Sequence, residues 1–316
     1  MAQPTPTDVH TDAILTNIST AYMQRSGAYI ASQVFPFVPV SKQSDVFYTY
    51  TKGDWFRDEA QLRAPATESA GGGYTLSTDS YSALVYAFHK DIDDQVRANA
   101  DSPINLDREA TEFVTQRMLM KMEKDWISTF FGTGVWGTDN SSATDWDNYS
   151  SSNPLDDIET ARRTILANTG FKPNTMVIGY DVFRYLKHHP DIIDRVKYTS
   201  SENVTTALLS RLFEVDRILV CEAIENTGAE GASDSFGFMY GKHALLCYTP
   251  SSPGLLTPAA GYTFVWQGVS DGMGTNVGIT RMRMPFLRAD RVEAQMAWDH
   301  KVIGSDLGYF FSGIVS

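Results

Sequence analysis

Hydrophobic and polar positions change period several times along this chain. Residues Ile14–Arg25 carry a weak helical pattern, and Ile30–Val40 (IASQVFPFVPV) then turns extended. Pro36 and Pro39 oppose a helix and remove ladder donors, so this piece is expected to run as an edge strand or extended arm. Val46–Thr51 and Tyr81–His89 alternate and are rich in Tyr, Val and Phe, which predicts two strands. Almost nothing between them can be buried, and Gln61–Thr78 holds three consecutive glycines and one proline. A connection of that length is uncommon inside a compact domain and marks a disordered segment or a loop with a task.

Ser102-Pro103 supplies a helix start, and the helical pattern runs to about Phe131, before Gly132. Leu106, Ala110, Phe113, Met120 and Ile127 form one stripe; Val114, Met118, Met122 and Trp126 form a second. Two stripes predict a helix packed on two sides. The Gly/Ser/Asn/Asp-rich stretch 132–153 is the expected domain boundary. Beyond it the pattern is mixed α/β. Helices are predicted from Asn153-Pro154 to about Asn168, over Tyr180–Tyr198 with a break at Pro190, and over Thr205–Phe213. Strands are predicted at Thr175–Gly179, Arg217–Cys221, Phe236–Tyr240, Ala244–Tyr248 and Tyr262–Trp266, with alternation returning at Arg288–Trp298 and Gly308–Val315.

With 316 residues and 42% hydrophobic content, the chain can build a sizeable core. It has no apolar run near the ~20 residues that a bilayer span needs. The start, MAQPTPTDVHTD, has neither a basic nor an apolar signal region, so no secretory leader is expected. The two cysteines, Cys221 and Cys247, allow one disulfide at most, and a reducing compartment is the expectation. Net charge is -12. That disfavours a protein built to grip phosphates. Residues 91–160 carry 15 Asp/Glu against 5 Lys/Arg. They predict either a solvated face or, more sharply, a surface that repels nucleic acid.

Several motifs imitate chemistry. Gly132-Thr-Gly134-Val-Trp-Gly137 matches a dinucleotide fingerprint but follows a helix where a strand is required. Gly268-Val-Ser270-Asp-Gly272 matches a nucleophile elbow, and Asp290 and His300 follow in hydrolase order, so a serine hydrolase using Ser270, Asp290 and His300 is the rival from another class. No helical pattern follows Ser270, which favours a surface turn. Gly237–His243 is one residue short of a phosphate loop and reads as a hairpin turn. Asp139–Asp147 lacks the glycine and glutamate of a calcium loop. His188-His189, with Asp191 nearby, reads as a helix end. Arg281, Arg283, Arg288 and Arg291 with Asp290 give a local +3 that suits an interface better than a phosphate groove.

What is left is Gly53–Tyr81, GDWFRDEAQLRAPATESAGGGYTLSTDSY. It concentrates Trp55, Phe56, Arg57, Asp58, Glu59, Arg63 and Glu68 in a segment with no core of its own to join. Trp and Arg dominate interface energies once desolvated. A long β-hairpin lying on a neighbouring copy would satisfy them, and so would a flexible loop tip. An arm, the Pro-rich VFPFVPV, this segment, a long helix and then an α/β region together resemble a tailed-bacteriophage major capsid protein of the Hong Kong 97-like fold.

The resemblance implies an α+β fold with an N-terminal arm (1–45), an extended loop (46–90), a peripheral domain with a spine helix (91–154), an axial domain (155–280) and return strands to the peripheral domain (281–316). It also implies self-assembly into hexamers and pentamers of an icosahedral virion shell around double-stranded DNA, without sequence-specific binding. Assembly in the host cytoplasm, scaffolding and portal partners, and no membrane belong to the same picture. An encapsulin-like nanocompartment is the alternative within the fold. Phe35 and Phe37 of the arm, together with Trp55, Phe56, Arg57, Asp58, Glu59, Arg63 and Glu68, are the expected inter-subunit contacts. The whole N-terminal segment to about residue 90 is expected to bury itself only on neighbours. No catalytic residue, cofactor or metal site is expected.

Overall fold

The computed structural model describes residues 24–100, 105–140, 145–196, 204–254, 256–268 and 278–316. Most of the expected helix at Ile14–Arg25, the Ser102-Pro103 helix start and Ser270 lie outside the described residues.

The first sheet is organised by one long strand, β13 (Ala289–Val302). β4 (Leu84–Asp93) runs antiparallel to it from Ala289 to Trp298. β11 (Gly261–Trp266) and β12 (Gly278–Met284) are also antiparallel to β13. Trp298 pairs with both Leu84 and Val265, and Ala289–Gln295 pair with both β4 and β12. β11 and β12 therefore follow one another along the edge of β13 opposite β4. β1 (Phe37–Val40) adds in parallel outside β11, at the sheet edge, where Pro39 is tolerated. Val292, Ala294, Met296 and Trp298 face inward, while Arg291, Glu293 and Gln295 alternate outward, as a sheet covered on one side requires.

The cover is the long helix Leu106–Phe130, about 37 Å at 1.5 Å per residue. Asn105 caps it by accepting the Arg108 N–H at 3.1 Å. Its buried side chains are Leu106, Ala110, Val114, Met118, Met122, Glu123, Trp126 and Phe130. Apart from Glu123 they are spaced by four, and each step of four advances the stripe by about 40°. The buried line therefore winds around the helix instead of dividing into two fixed stripes. Phe113, expected in a stripe, is exposed, with the cations of Lys90 and Arg117 5.4 and 5.2 Å from its ring centroid.

The winding brings Trp126 and Phe130 onto the second sheet, ordered β5 (Thr138–Asn140), β14 (Gly308–Phe311), β10 (Ala244–Cys247), β6 (Thr175–Gly179) and β7 (Arg217–Cys221). Its inner strands are buried on both faces. Val177, Leu245 and Phe310 join the core under the long helix. The alternate residues Met176, Ile178, Leu246 and Phe311 join a second core beneath the helices Pro154–Thr169, Tyr180–His188, Pro190–Val196 and Thr206–Leu212. The first of these has Asn153 as its cap and ends at Gly170, whose φ of 76° suits glycine. β12 and β13 belong to the first sheet and β14 to the second, so residues 281–316 serve both.

The N-terminal side departs from expectation. Tyr29, Ile30, Ala31, Val34 and Phe35 are buried in the chain's own main core. A short helix, Ala31–Val34, turns Phe35 inward to lie 4.6 Å from Phe130 and 5.8 Å from Trp126 between ring centroids. Phe35 is 1% exposed and is thus a core residue, not a contact offered to a neighbour. Phe37 follows in β1, half-buried against the same core.

Candidate assembly surface

β2 (Ser44–Tyr50) and β3 (Leu76–Ser82) form an antiparallel hairpin that leaves the first sheet at its base. Phe47 and Tyr81 anchor it by packing on Phe264 of β11, Tyr81 stacked at 4.6 Å. The Ser82 N–H donates to the Asp299 carboxylate at 2.8 Å. Strand alternation then works against the chain alone. Phe47 points to the body, so Val46, Tyr48 and Tyr50 point to water.

The hairpin is closed by residues 51–75, which hold one turn of helix, Lys52–Trp55, and little other regular structure. Asp54 accepts the Thr75 N–H at 2.8 Å, clamping the two ends together. Tyr50, Trp55 and Tyr74 make a ring cluster with centroids 5.7–6.1 Å apart. Arg57 lies 3.9 Å from Glu59, and Arg63 Nε donates to the Thr67 carbonyl at 2.7 Å. Trp55, Phe56, Arg57, Asp58, Glu59, Arg63 and Glu68 are all exposed, Trp55 to 54%. The segment touches its own body lightly. Lys52 pairs with Asp306, and the Phe56 ring lies over Gly170.

Tyr48, Tyr50, Tyr74 and Leu76 are exposed on the same projection, Tyr48 and Tyr50 in a run that reads in sequence as an ordinary strand, Tyr74 and Leu76 in the glycine-rich connection. Two smaller apolar projections accompany it: Phe286 and Leu287 at the β12–β13 turn, with Phe286 100% exposed, and Phe236 and Phe238 on the hairpin of β8 (Ile224–Asn226) and β9 (Phe236–Phe238). Apolar groups gathered on projections in this way mark contact surfaces.

The arginines and acidic residues are largely satisfied within the chain. Arg283 donates to Asp94 at 2.6 and 2.7 Å and to Asp290 at 3.0 Å. Arg97 bonds Asp290 and Asp107, and Arg291 grips Asp91 through two bonds of 2.7 and 2.8 Å. These guanidinium bonds hold Asp91, Asp94 and Asp290 below the usual carboxylate range. In the acidic run 91–160, Asp91, Asp94, Asp107, Glu112, Asp125 and Glu159 are paired with cations and Glu123 lies in the core.

The enzymatic imitations fare differently. Asp290 and His300 lie ten residues apart on β13, about 33 Å along a strand, and cannot share a triad. His300 is buried, bonded through Nδ1 to Thr263 at 2.9 Å, and lowered to about 4 by burial. A triad lookalike that the sequence did not suggest does form: His189 Nε2 lies 2.9 Å from Ser152 Oγ, with Asp191 Oδ2 3.8 Å from Nδ1. Nδ1 accepts the Asp191 N–H, so Nε2 carries the proton and donates to the serine. Ser152 in turn donates to the Asn148 carbonyl, and both side chains are buried. The ring cannot act as the serine's base in this tautomer. The GTGVWG segment is a turn whose Trp136 donates to the Phe130 carbonyl at 2.7 Å, and Gly241 lies in a turn between β9 and β10 with φ of 55°. Cys221 and Cys247 are free and buried. Among the described residues no helix is long and apolar enough to cross a membrane, and no cluster of His, Cys, Asp and Glu could hold a metal.

No family model matches the chain. Over 323 residues, 96% of each chain, it is 27% identical to the major capsid protein of Burkholderia phage BcepMu. It is 28% identical over 317 residues to that of Pseudomonas phage JBD67, covering 96% of this chain and 97% of that one. The chain resembles phage major capsid proteins from end to end. Among solved structures it is similar to a phage-related protein of Bordetella bronchiseptica, with a TM-score of 0.70, 24% identity and coverage of 92% and 93%. The capsid of cyanophage P-SCSP1u gives a TM-score of 0.61 at 10% identity, covering 96% of this chain and 93% of that one. An encapsulin from Synechococcus elongatus gives 0.57 at 10% identity, covering 96% and 94%. The mixed α+β architecture is thus that of phage capsid folds.

Proposed function

We propose that this major-capsid-like chain assembles with copies of itself, as hexamers and pentamers, into an icosahedral shell that encloses double-stranded DNA. The observation that carries this is the β2–β3 hairpin, whose Tyr48, Tyr50, Trp55, Phe56 and Tyr74 are held in order yet exposed. In this reading Trp55 and Phe56 bury themselves on a neighbouring subunit, and Arg57, Asp58, Glu59, Arg63 and Glu68 exchange ion pairs with it. Phe37 contributes at the sheet edge.

The Hong Kong 97-like division supports the same picture. Residues 1–45 serve as arm and 46–90 as extended loop; 91–154 with the strands of the first sheet serve as peripheral domain and most of 155–280 as axial domain, with 281–316 contributing strands to both. Scaffolding and portal proteins are the expected partners, assembly takes place in the host cytoplasm, and the product is the virion. Likeness to an encapsulin supports a second reading, a nanocompartment around a cargo protein.

Electron microscopy of the expressed protein tests the proposal. Wild-type chain is expected to give closed particles. Trp55→Ala, or deletion of 53–73, is expected to keep the far-ultraviolet spectrum and cooperative melting but give no closed particles. Normal shells from both variants would overturn the role of the hairpin. A co-purifying cargo enzyme in place of DNA would favour the nanocompartment.

A further inference from the structure

One carboxylate inside the main core has no part in the assembly surface. Glu123, on the long helix, is 0% exposed. Its two oxygens accept the backbone N–H groups of Ile30 and Ala31 at 3.0 and 2.9 Å, and one of them also accepts the Tyr240 hydroxyl at 2.7 Å. Among the described residues no Lys, Arg or His forms an ion pair with it. The titratable groups facing it are Tyr29 from the arm, Cys221 from β7 and Tyr240 from the turn after β9. None of them brings a positive charge. Arg117, further back on the same helix, and Glu222, beyond β7, act on Tyr29 and Cys221.

A buried carboxylate without a counter-ion is costly when ionised, and hydrogen bonds offset only part of that cost. Here the segment Tyr29–Phe35 packs over the carboxylate, and its backbone supplies two of the four donors, the others being the Tyr240 hydroxyl and, at 4.0 Å, the Cys221 thiol. Lifting this segment returns Glu123 to water and removes two of its hydrogen bonds in one step. We infer that Glu123 is a proton-linked latch for the arm: the segment Tyr29–Phe35 is held in the core most firmly while the carboxyl carries a proton, and is released more readily once it is ionised.

The sign follows from burial, which raises the Glu123 carboxyl above the usual range when the arm is docked. With the arm lifted, the group titrates near its ordinary value of roughly 4.3. The docked state therefore binds the proton more tightly. Docking is at full strength below the ordinary range and weakens by up to about tenfold per pH unit as pH rises toward the docked value. The hairpin is not involved, so the latch stands or falls independently of the shell reading.

Hydrogen exchange at the Ile30 and Ala31 amides of the full chain, corrected for the intrinsic pH dependence of exchange, measures the latch directly. Wild-type protection is expected to fall across the window, and Glu123→Gln, which cannot ionise, is expected to give a flat profile. Tyr240→Phe removes a donor to the ionised form, so its midpoint is expected at higher pH. Wild-type protection that does not change with pH overturns the proposal, as does a Glu123→Gln profile that titrates like wild type. If Glu123→Gln does not melt cooperatively, Tyr240→Phe decides, and an unmoved midpoint overturns the proposal.

Discussion

Phe35 immediately precedes Pro36, in a stretch whose prolines argue for extended backbone, yet its ring is enclosed by Trp126, Phe130 and Trp136. Side chains of this size bury enough apolar area that truncation leaves a cavity rigid neighbours cannot fill. Phe35→Ala is expected to lower unfolding free energy by about 3–5 kcal/mol, read from urea denaturation. A loss below about 1 kcal/mol would show that the ring lies outside the cooperative core. On the far side of the same cluster Gly308 meets the Trp136 ring so closely that an added Cβ would stand 2.1 Å from it. Only glycine fits there, although nothing near Gly308 in the sequence announces an indole.

Among elements, the strands on the covered face of the first sheet are tied at their outer face by Arg291 and Asp91, directly opposite on β13 and β4. Because this pair is bidentate and mostly shielded, removing one partner costs more than a surface ion pair does. Arg291→Met is expected to destabilise by about 1–3 kcal/mol near neutral pH. Asp91 is held below the usual carboxylate range chiefly by its bond to Arg291. Its contribution is present above the ordinary aspartate value, roughly 3.9, and is lost as pH falls through the lowered one. Thermal melts should therefore show wild type and variant converging in acid; a constant gap down to about pH 2 would assign the loss to packing. Elements with local signals were legible in sequence: Asn153-Pro154 and Gly170 bound one helix, and Thr175–Gly179 and Arg217–Cys221 read as strands because each carries a short apolar run rich in Val and Ile. β12 was legible only as a β-like run without bounds, because it pairs along one edge and keeps most of its side chains exposed, so its pattern has little inner face to reveal. Docking of Tyr29–Phe35 was missed for another reason, since it depends on Glu123 and Trp126, some ninety residues away. At the candidate assembly surface, the exposure of Trp55 to Glu68 was legible because their composition offers no core; that of Tyr48 and Tyr50 was not, because exposure on one strand face depends on where the hairpin leaves the sheet.

Over the whole molecule the excess of carboxylates reaches a net charge of -12. Guanidinium groups that could meet phosphate are instead spent on neighbours: Arg97, Arg283 and Arg291 on aspartates, Arg162 on Glu159 and Glu214, and Arg217 on Thr175, Thr249 and the Val34 carbonyl. A shell wall with this character would hold duplex DNA by enclosure and leave it free to move against the lining. Counterion release gives the test a number, because each phosphate contact contributes about -0.9 to the slope of log affinity against log salt. Fluorescence anisotropy of a labelled duplex titrated with purified protein is expected to show weak binding and a slope no steeper than about -1, indistinguishable between unrelated sequences. A slope of about -4 or steeper would mean at least four phosphate contacts per binding unit, and the wall would then have to be described as a surface that grips its contents.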